Sequence, residues 1–205
     1  MSEADREKWN ARYRGAPCAC LAEPNALLLE WLPKIERWLG PGSRAAVDVA
    51  CGQGRHVLYL ARRGWTVDAM DISEVALEQL AAAAAAEGLA VACHQRDFEP
   101  PAPLEASPFE ADRYDLAVVM RYTNLPIMPY LAAALRPGGY LVTEVYLKQG
   151  DRPDGGPRNP DYRVTADALN DAIAGLETVE YRERMAKDRE GRPAPLAQLV
   201  SRRRC

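Results

Sequence analysis

The stretch Val47–Asp71, VDVACGQGRHVLYLARRGWTVDAMD, decides the fold. It opens as an apolar run, turns at Gly52-Gln53-Gly54, continues through a helix-length segment and closes on a second apolar run that ends in an acid. A strand, a tight turn, a helix and a second strand form one unit of a parallel sheet, because parallel neighbours need a crossover long enough to hold a helix. In an open α/β sheet, ligands bind beyond the carboxyl ends of the strands, and the first strand-to-helix turn lies on that rim. The glycine turn therefore marks the binding edge.

What the turn holds follows first by exclusion. A dinucleotide fingerprint needs a third glycine for close helix–strand packing, and Val57 stands in that place. A phosphate loop ends in Lys followed by Ser or Thr, whereas Gly54 is followed by Arg55, His56 and Val57. What remains is a short turn led by an acid, Asp48, with a second acid, Asp71, at the end of the next strand. Carboxylate oxygens there accept protons from both ribose hydroxyls, which suits a nucleoside without a pyrophosphate. The competing role for Asp71, ahead of Ser73, is a helix cap.

Outward from this unit, strands are expected at 45–50, 66–70, 90–94, 115–120 and 139–146, with helices near 54–63, 73–87 and 127–135. Ser2 and Asp5 read as a capping box for a first helix that carries Trp9 and Tyr13 one turn apart on one face. Asn25–Leu39 reads as a second helix, interrupted near Pro33 and stopped by the Gly40-Pro41-Gly42 run. Near the other end, LETVEYRERM and PLAQLVSRRR are β-like runs joined by a polar turn too short for a parallel crossover, so they should pair antiparallel. The expected architecture is an α/β Rossmann-like three-layer sandwich, with a mostly parallel seven-stranded sheet and an antiparallel C-terminal hairpin.

Residues 1–205 read as a single domain: an N-terminal helical cap at 1–40, a cofactor-binding core at 45–147, and a helix with the hairpin at 165–205. The Gly-, Pro- and charge-rich segment 148–164 is too long for a plain connection, and reads as a lid or as disorder.

The motifs resemble those of the class I S-adenosylmethionine-dependent methyltransferases, in particular the branch similar to the bacterial tellurite-resistance methyltransferases. That family's first motif, acid-x-Gly-x-Gly-x-Gly, is similar to DVACGQG, with Asp48, Gly52 and Gly54 matching and Ala50 in place of the first glycine. Ala50 fits if the backbone there has negative φ. The resemblance continues through LRPGGYLVTEVY and RNPDYRVTADALNDAIAGLETVEYRER, and WNARY is similar to an N-terminal segment that closes over the cofactor in that branch.

The resemblance implies S-adenosylmethionine as cofactor. Asp71 would then hold the ribose, the Gly52–Gly54 turn the methionine part, and Asp97 with Phe98 the adenine, while the backbone after Met120 borders the transferred methyl. Trp9, Tyr13, Asp48, Ala50, Cys51 and Ile72 complete the expected cofactor set. The residues read directly agree in part: Asp97 can accept from an amino group and Phe98 can stack, although Asp97 also suits a turn or cap.

Methyl transfer from a sulfonium demands alignment and exclusion of water more than a protein nucleophile, and a soft or already ionised acceptor needs no strong base. No residue is assigned as a general base: His56 suits a helix start as well as it suits the cofactor, and His94 reads as structural. Cys18-Ala19-Cys20 and Cys93-His94 lack the paired spacing of a zinc site, so no metal is expected. The acceptor, a small molecule, should meet Arg14, Arg121, Tyr122, Tyr146 and Arg158, with Tyr162 beside them. Guanidinium forks there would orient an anion, unless Arg121 is instead spent on a salt bridge to Glu144.

The formal charge of −3, from 26 basic and 29 acidic side chains, offers no global attraction to nucleic acid or a membrane surface. Five cysteines, an odd number, and a charged start without an apolar core point to a reduced cytoplasm, and no run is long enough to span a bilayer. Three rivals stay open: a nucleobase or RNA methyltransferase on the same fold, a non-catalytic S-adenosylmethionine-binding module, and a nicotinamide-dependent hydride-transfer enzyme. The sequence leaves the oligomeric state unread.

Overall fold

The structure, a computed structural model, describes residues 3–15, 18, 22–99, 106–148, 155–188 and 190–205. The chain opens with α1 (Glu3–Arg14) and α2 (Ala26–Leu39), then alternates β1 (Arg44–Val49), α3 (Arg55–Arg62), β2 (Trp65–Asp71), α4 (Glu74–Ala86) and β3 (Val91–Gln95). After β4 (Tyr114–Met120) come α5 (Met128–Ala134), β5 (Leu135–Tyr146), α6 (Ala166–Ala172) and the hairpin β6 (Glu177–Lys187) and β7 (Pro193–Arg202). The seven strands form one sheet in the order β3-β2-β1-β4-β5-β7-β6. The first five are parallel, and β7 enters antiparallel to both β5 and β6.

Alternation along the strands divides the apolar residues between two cores. Ala46, Val67, Leu116, Val118 and Val142 pack with α2, α3 and α4, whereas Val47, Val49, Ala117, Val119 and Leu141 pack with Phe98, Phe109, α5 and α6. Both sets are fully buried, which is why the parallel strands read as near-continuous apolar runs. Among the described residues, no helix is long and apolar enough to cross a membrane.

Three expectations are corrected. α2 runs unbroken through Pro33, because its buried stripe of Leu28, Trp31, Leu32 and Ile35 holds it against the sheet despite the missing amide hydrogen. β5 begins at Leu135 rather than 139, and carries Pro137-Gly138-Gly139 inside the strand at a register shift opposite β4. Ala50 has φ of +55°, the left-handed region, so it adopts the geometry of the glycine it replaces. That conformation costs an alanine about 1 kcal/mol. Ala50→Gly should therefore raise stability by up to about 1 kcal/mol in urea unfolding, and an unchanged or lower midpoint would count against strain at this position.

The capping box lies partly outside the described residues, since Ser2 is not among them. α1 is instead fixed to the start of α4. Ser73 Oγ donates to Asn10 Oδ1 at 2.7 Å, Asn10 Nδ2 donates to Glu74 Oε1 at 3.0 Å, and Gln79 Nε2 donates to Tyr13 O at 3.3 Å.

Candidate active site

A cavity of about 600 Å³ opens beyond the carboxyl ends of β1, β2 and β4, within the range of roughly 300–1,000 Å³ typical of small-molecule sites. Ala50, Asp71, Ile72, Phe98 and Met120 line its sheet side, and Arg121, Tyr122, Tyr146, Arg158 and Tyr162 line the far side. Trp9 and Tyr13 close it from α1, their rings stacked at 6.0 Å.

Asp71 is the most constrained of these residues. One carboxylate oxygen accepts from Gly52 N at 2.8 Å and the other from Ser73 N at 2.9 Å, and the residue is 6% exposed. The same side chain thus clamps the glycine turn and begins α4, while each oxygen keeps a further lone pair. Burial, helped by the charge of Asp48, raises its pKa against the opposing pull of the Ser73 and Gly52 amides.

Several expected residues lie behind the cavity wall. Asp48 is 1% exposed, with Oδ2 3.6 Å from His56 Nδ1, and it sits under the turn with Cys51, whose thiol pKa is pushed well up by burial. Gly52 and Gly54 are also absent from the wall, for different reasons. A Cβ on Gly52 would stand 2.7 Å from Tyr13 Oη, so the α1 tyrosine fills the space above that glycine; a Cβ on Gly54 would stand 2.3 Å from Leu80 Cδ1, so that glycine admits α4. Asp97 accepts from Glu99 N at 2.8 Å in a turn, and does not face the cavity.

Arg14 lies elsewhere than expected. It pairs with Glu7 at 2.7 Å on the exposed side of α1, about 100° around the helix from Tyr13. The face of α1 on the cavity is Asp5, Lys8, Trp9, Arg12 and Tyr13, an i, i+3, i+4, i+7, i+8 series legible from the Trp9–Tyr13 spacing. Arg121 meets Glu144 at 2.9 Å, the salt bridge that stood as the alternative to anion binding. His94 pairs with Asp68 at 3.3 Å, away from the cavity. Cys51, Cys93 and Cys205 are free thiols, Cys18 is disulfide-bonded, against the expectation of fully reduced cysteines, and Cys20 lies outside the described residues.

Among the parts of the wall that the sequence reading missed is the β6–β7 turn, which brings Asp188, Glu190 and Arg192 to the rim. Asp188 accepts from the backbone of Gly156, Glu190 and Arg192 and from Arg192 Nε, at 2.8–2.9 Å. Burial pushes its pKa up, but these donors together outweigh it and hold the carboxyl well below the usual range. Arg163 donates to Gly155 O at 2.6 Å and to Pro157 O at 3.0 Å, so residues 155–157 are gripped from both sides.

Residues 46–139 match a family model described as a methyltransferase domain. Among curated proteins, the chain is 28% identical over 158 residues to Hemagglutinin 1 of Eikenella corrodens, covering 73% of this chain and 51% of that protein. It is 26% identical over a 220-residue alignment to the uncharacterized protein UNK4.09 of Schizosaccharomyces pombe, covering 88% and 64%. The chain thus spans about half to two thirds of the length of these relatives.

In fold it is similar to a structure from work on the conversion of a disulfide bond into a thioacetal group during echinomycin biosynthesis (TM-score 0.71, 21% identity, 98% of this chain and 92% of that one). It is also similar to TehB from Haemophilus influenzae (0.70, 19%, 97% and 67%) and to a Burkholderia thailandensis 1,6-didemethyltoxoflavin-N1-methyltransferase with bound 1,6-didemethyltoxoflavin and S-adenosylhomocysteine (0.66, 18%, 98% and 87%). The domain match begins in β1 and ends inside β5, covering β2 to β4 and the helices between them, so over residues 46–139 the chain is similar to a methyltransferase domain.

Proposed function

We propose that this chain transfers a methyl group from S-adenosylmethionine to a small acceptor with an anionic or soft nucleophilic centre. The observation that carries the reading is the cavity at the strand carboxyl ends with Asp71 on its wall, clamping the glycine turn and keeping lone pairs for a ribose. The residues fit the cofactor: Ile72 and Phe98 offer apolar surface for a base, and the polar rim beside Tyr13 suits an amino-acid end. When bound, the cofactor supplies a methyl on a sulfonium, an electrophile that needs a nucleophile placed in line.

The chain's own part is to hold, orient and exclude water. In this reading α1 is a cap and residues 155–164 are the lid, held shut by Asp188 and Arg163 over one domain of three layers, helices on both faces of the sheet. The neighbouring Burkholderia enzyme holds a small heterocycle, which supports a small-molecule acceptor here. Calorimetry with S-adenosylmethionine, S-adenosylhomocysteine and NAD tests the reading. Binding of the first two is expected, and NAD binding in their place would overturn it.

Arg121 is neutralised by Glu144, so the acceptor-orienting role passes to Arg158, which faces the cavity without an ion pair among the described residues. A hydrogen bond to a charged group contributes about 1.5–3 kcal/mol. Arg158→Ala should therefore lower kcat/KM for selenite roughly 10- to 100-fold and leave transfer to 2-mercaptoethanol, a neutral thiol, near wild type. Equal losses with both acceptors would remove the anion-orienting role.

A further inference from the structure

We infer that Glu144 is a positioning residue: through Arg121 it locks a strained turn at the end of β4, where the methyl is presented. The inference rests on the methyltransferase reading above for its link to the methyl. Arg121 has φ of +58°, a conformation that an L side chain other than Asn or Asp rarely adopts. Strain of this kind persists only where the surroundings over-determine it. Here they do, through both the main chain and the side chain of one residue.

Arg121 N donates to Glu144 O at 2.6 Å, and Arg121 Nε donates to Glu144 Oε1 at 2.9 Å. The guanidinium also donates through Nη1 to Lys187 O at 3.1 Å and lies over the Tyr146 ring, 5.7 Å from its centre. Glu144 itself is 2% exposed, and a carboxylate so buried needs its lone pairs filled. Asn25 Nδ2 supplies Oε1 at 2.8 Å, and Gln198 Nε2, opposite on β7, supplies Oε2 at 2.6 Å. Asn25 also caps α2, and Gln198 receives Arg182, so the carboxylate is fixed by three elements before Arg121 reaches it.

The kink has a visible consequence. β4 and β5 pair through Met120 and Glu144. An extended residue 121 would carry the chain on alongside Tyr146. The left-handed turn sends it across the cavity mouth instead. Tyr122 and Thr123 line the wall, Asn124 Nδ2 donates to Phe98 O at 2.7 Å, and Thr123 Oγ1 donates to Tyr162 O at 3.1 Å. The arginine is thus a pin for backbone geometry, its charge cancelled by Glu144, and its replacement by a residue that accepts positive φ should be tolerated.

Glycine and alanine at position 121 separate the two roles, since both lack the guanidinium and only glycine takes this φ without cost. Two readouts serve: the ratio of S-adenosylmethionine to S-adenosylhomocysteine affinity by calorimetry, which senses the surroundings of the methyl, and the unfolding equilibrium in urea. Arg121→Gly should keep the affinity ratio within twofold of wild type while Arg121→Ala shifts it at least roughly threefold, and the glycine variant should unfold with an equilibrium constant roughly fivefold smaller than the alanine variant.

Glu144→Gln should shift the ratio as Arg121→Ala does, and adding Arg121→Gly should bring it back. Identical behaviour of the glycine and alanine variants in both readouts, or an unmoved ratio in Glu144→Gln, overturns the inference. If wild type binds neither compound, the functional reading falls, and the unfolding comparison alone still decides whether Arg121 is a strained pin.

Discussion

Asp71→Ala is expected to weaken binding of both S-adenosylmethionine and S-adenosylhomocysteine at least about 100-fold, because two hydrogen bonds to a charged carboxylate, each about 1.5–3 kcal/mol, are lost together. The side chain sits 6% exposed at the end of β2, and its oxygens already hold Gly52 N and Ser73 N. Alanine therefore removes the acceptors proposed for the ribose and also frees the turn beside them. Asp71→Asn is no neutral control, since the amide nitrogen it introduces would face one of two backbone donors.

The pH dependence of this effect has a definite sign. Binding needs the ionised carboxylate, so affinity should fall as pH is lowered through the raised pKa of Asp71, at a higher pH than an ordinary aspartate would give. For stability the same shift acts oppositely: the favourable contribution of a group with raised folded pKa is present below its unfolded value and is lost as pH rises through the folded one. At neutral pH the ionised group is thus a burden on the fold, and Asp71→Ala should lose less stability there than two broken hydrogen bonds imply. Calorimetric affinity that matches wild type in this variant would remove Asp71 from the binding site.

The parallel half of the fold was legible because each strand is an apolar run between turn residues, and both faces of it are buried. The start of β5 was not, since Pro137-Gly138-Gly139 carries local stop signals while its pairing is remote: Gly138 N donates to Arg203 O at 2.9 Å. Ala50 read as acceptable only with negative φ, but the turn is set by Asp71 holding Gly52 from nineteen residues away, and the alanine conforms at positive φ.

The same division runs through the site. Asp71 was readable from its place at the end of a strand, whereas Phe98 and Met120 came from the family resemblance; all three line the cavity. Arg14 was misplaced by one residue's rotation on a helix whose docking face is set by Ser73 and Glu74. Asp188 had no local pattern at all, because a hairpin turn does not announce which loop it will meet, and its partner Gly156 lies 32 residues earlier.

Gly54→Ala should cost roughly 2–5 kcal/mol of unfolding free energy, summing about 1–2 kcal/mol for a side chain in left-handed geometry and about 1–3 kcal/mol for overpacking. Its φ is +77°, and the new methyl would stand 2.3 and 2.6 Å from the two methyl carbons of Leu80. Leu80 is fully buried in the core shared by α2, α3 and α4, so moving it means opening that core. Gly52→Ala meets a softer obstacle, the hydroxyl of Tyr13 at 2.7 Å, on a helix that can lift.

The two neighbouring glycines should therefore fail differently. Gly54→Ala should lower the urea midpoint, while its folded fraction keeps cofactor affinity near wild type, because this glycine serves helix packing. Gly52→Ala should stay closer to wild type in stability and lose affinity as α1 is pushed off the turn. A Gly54→Ala variant that is stable but does not bind would reverse the assignment, and would mean that the third motif position meets the ligand rather than Leu80.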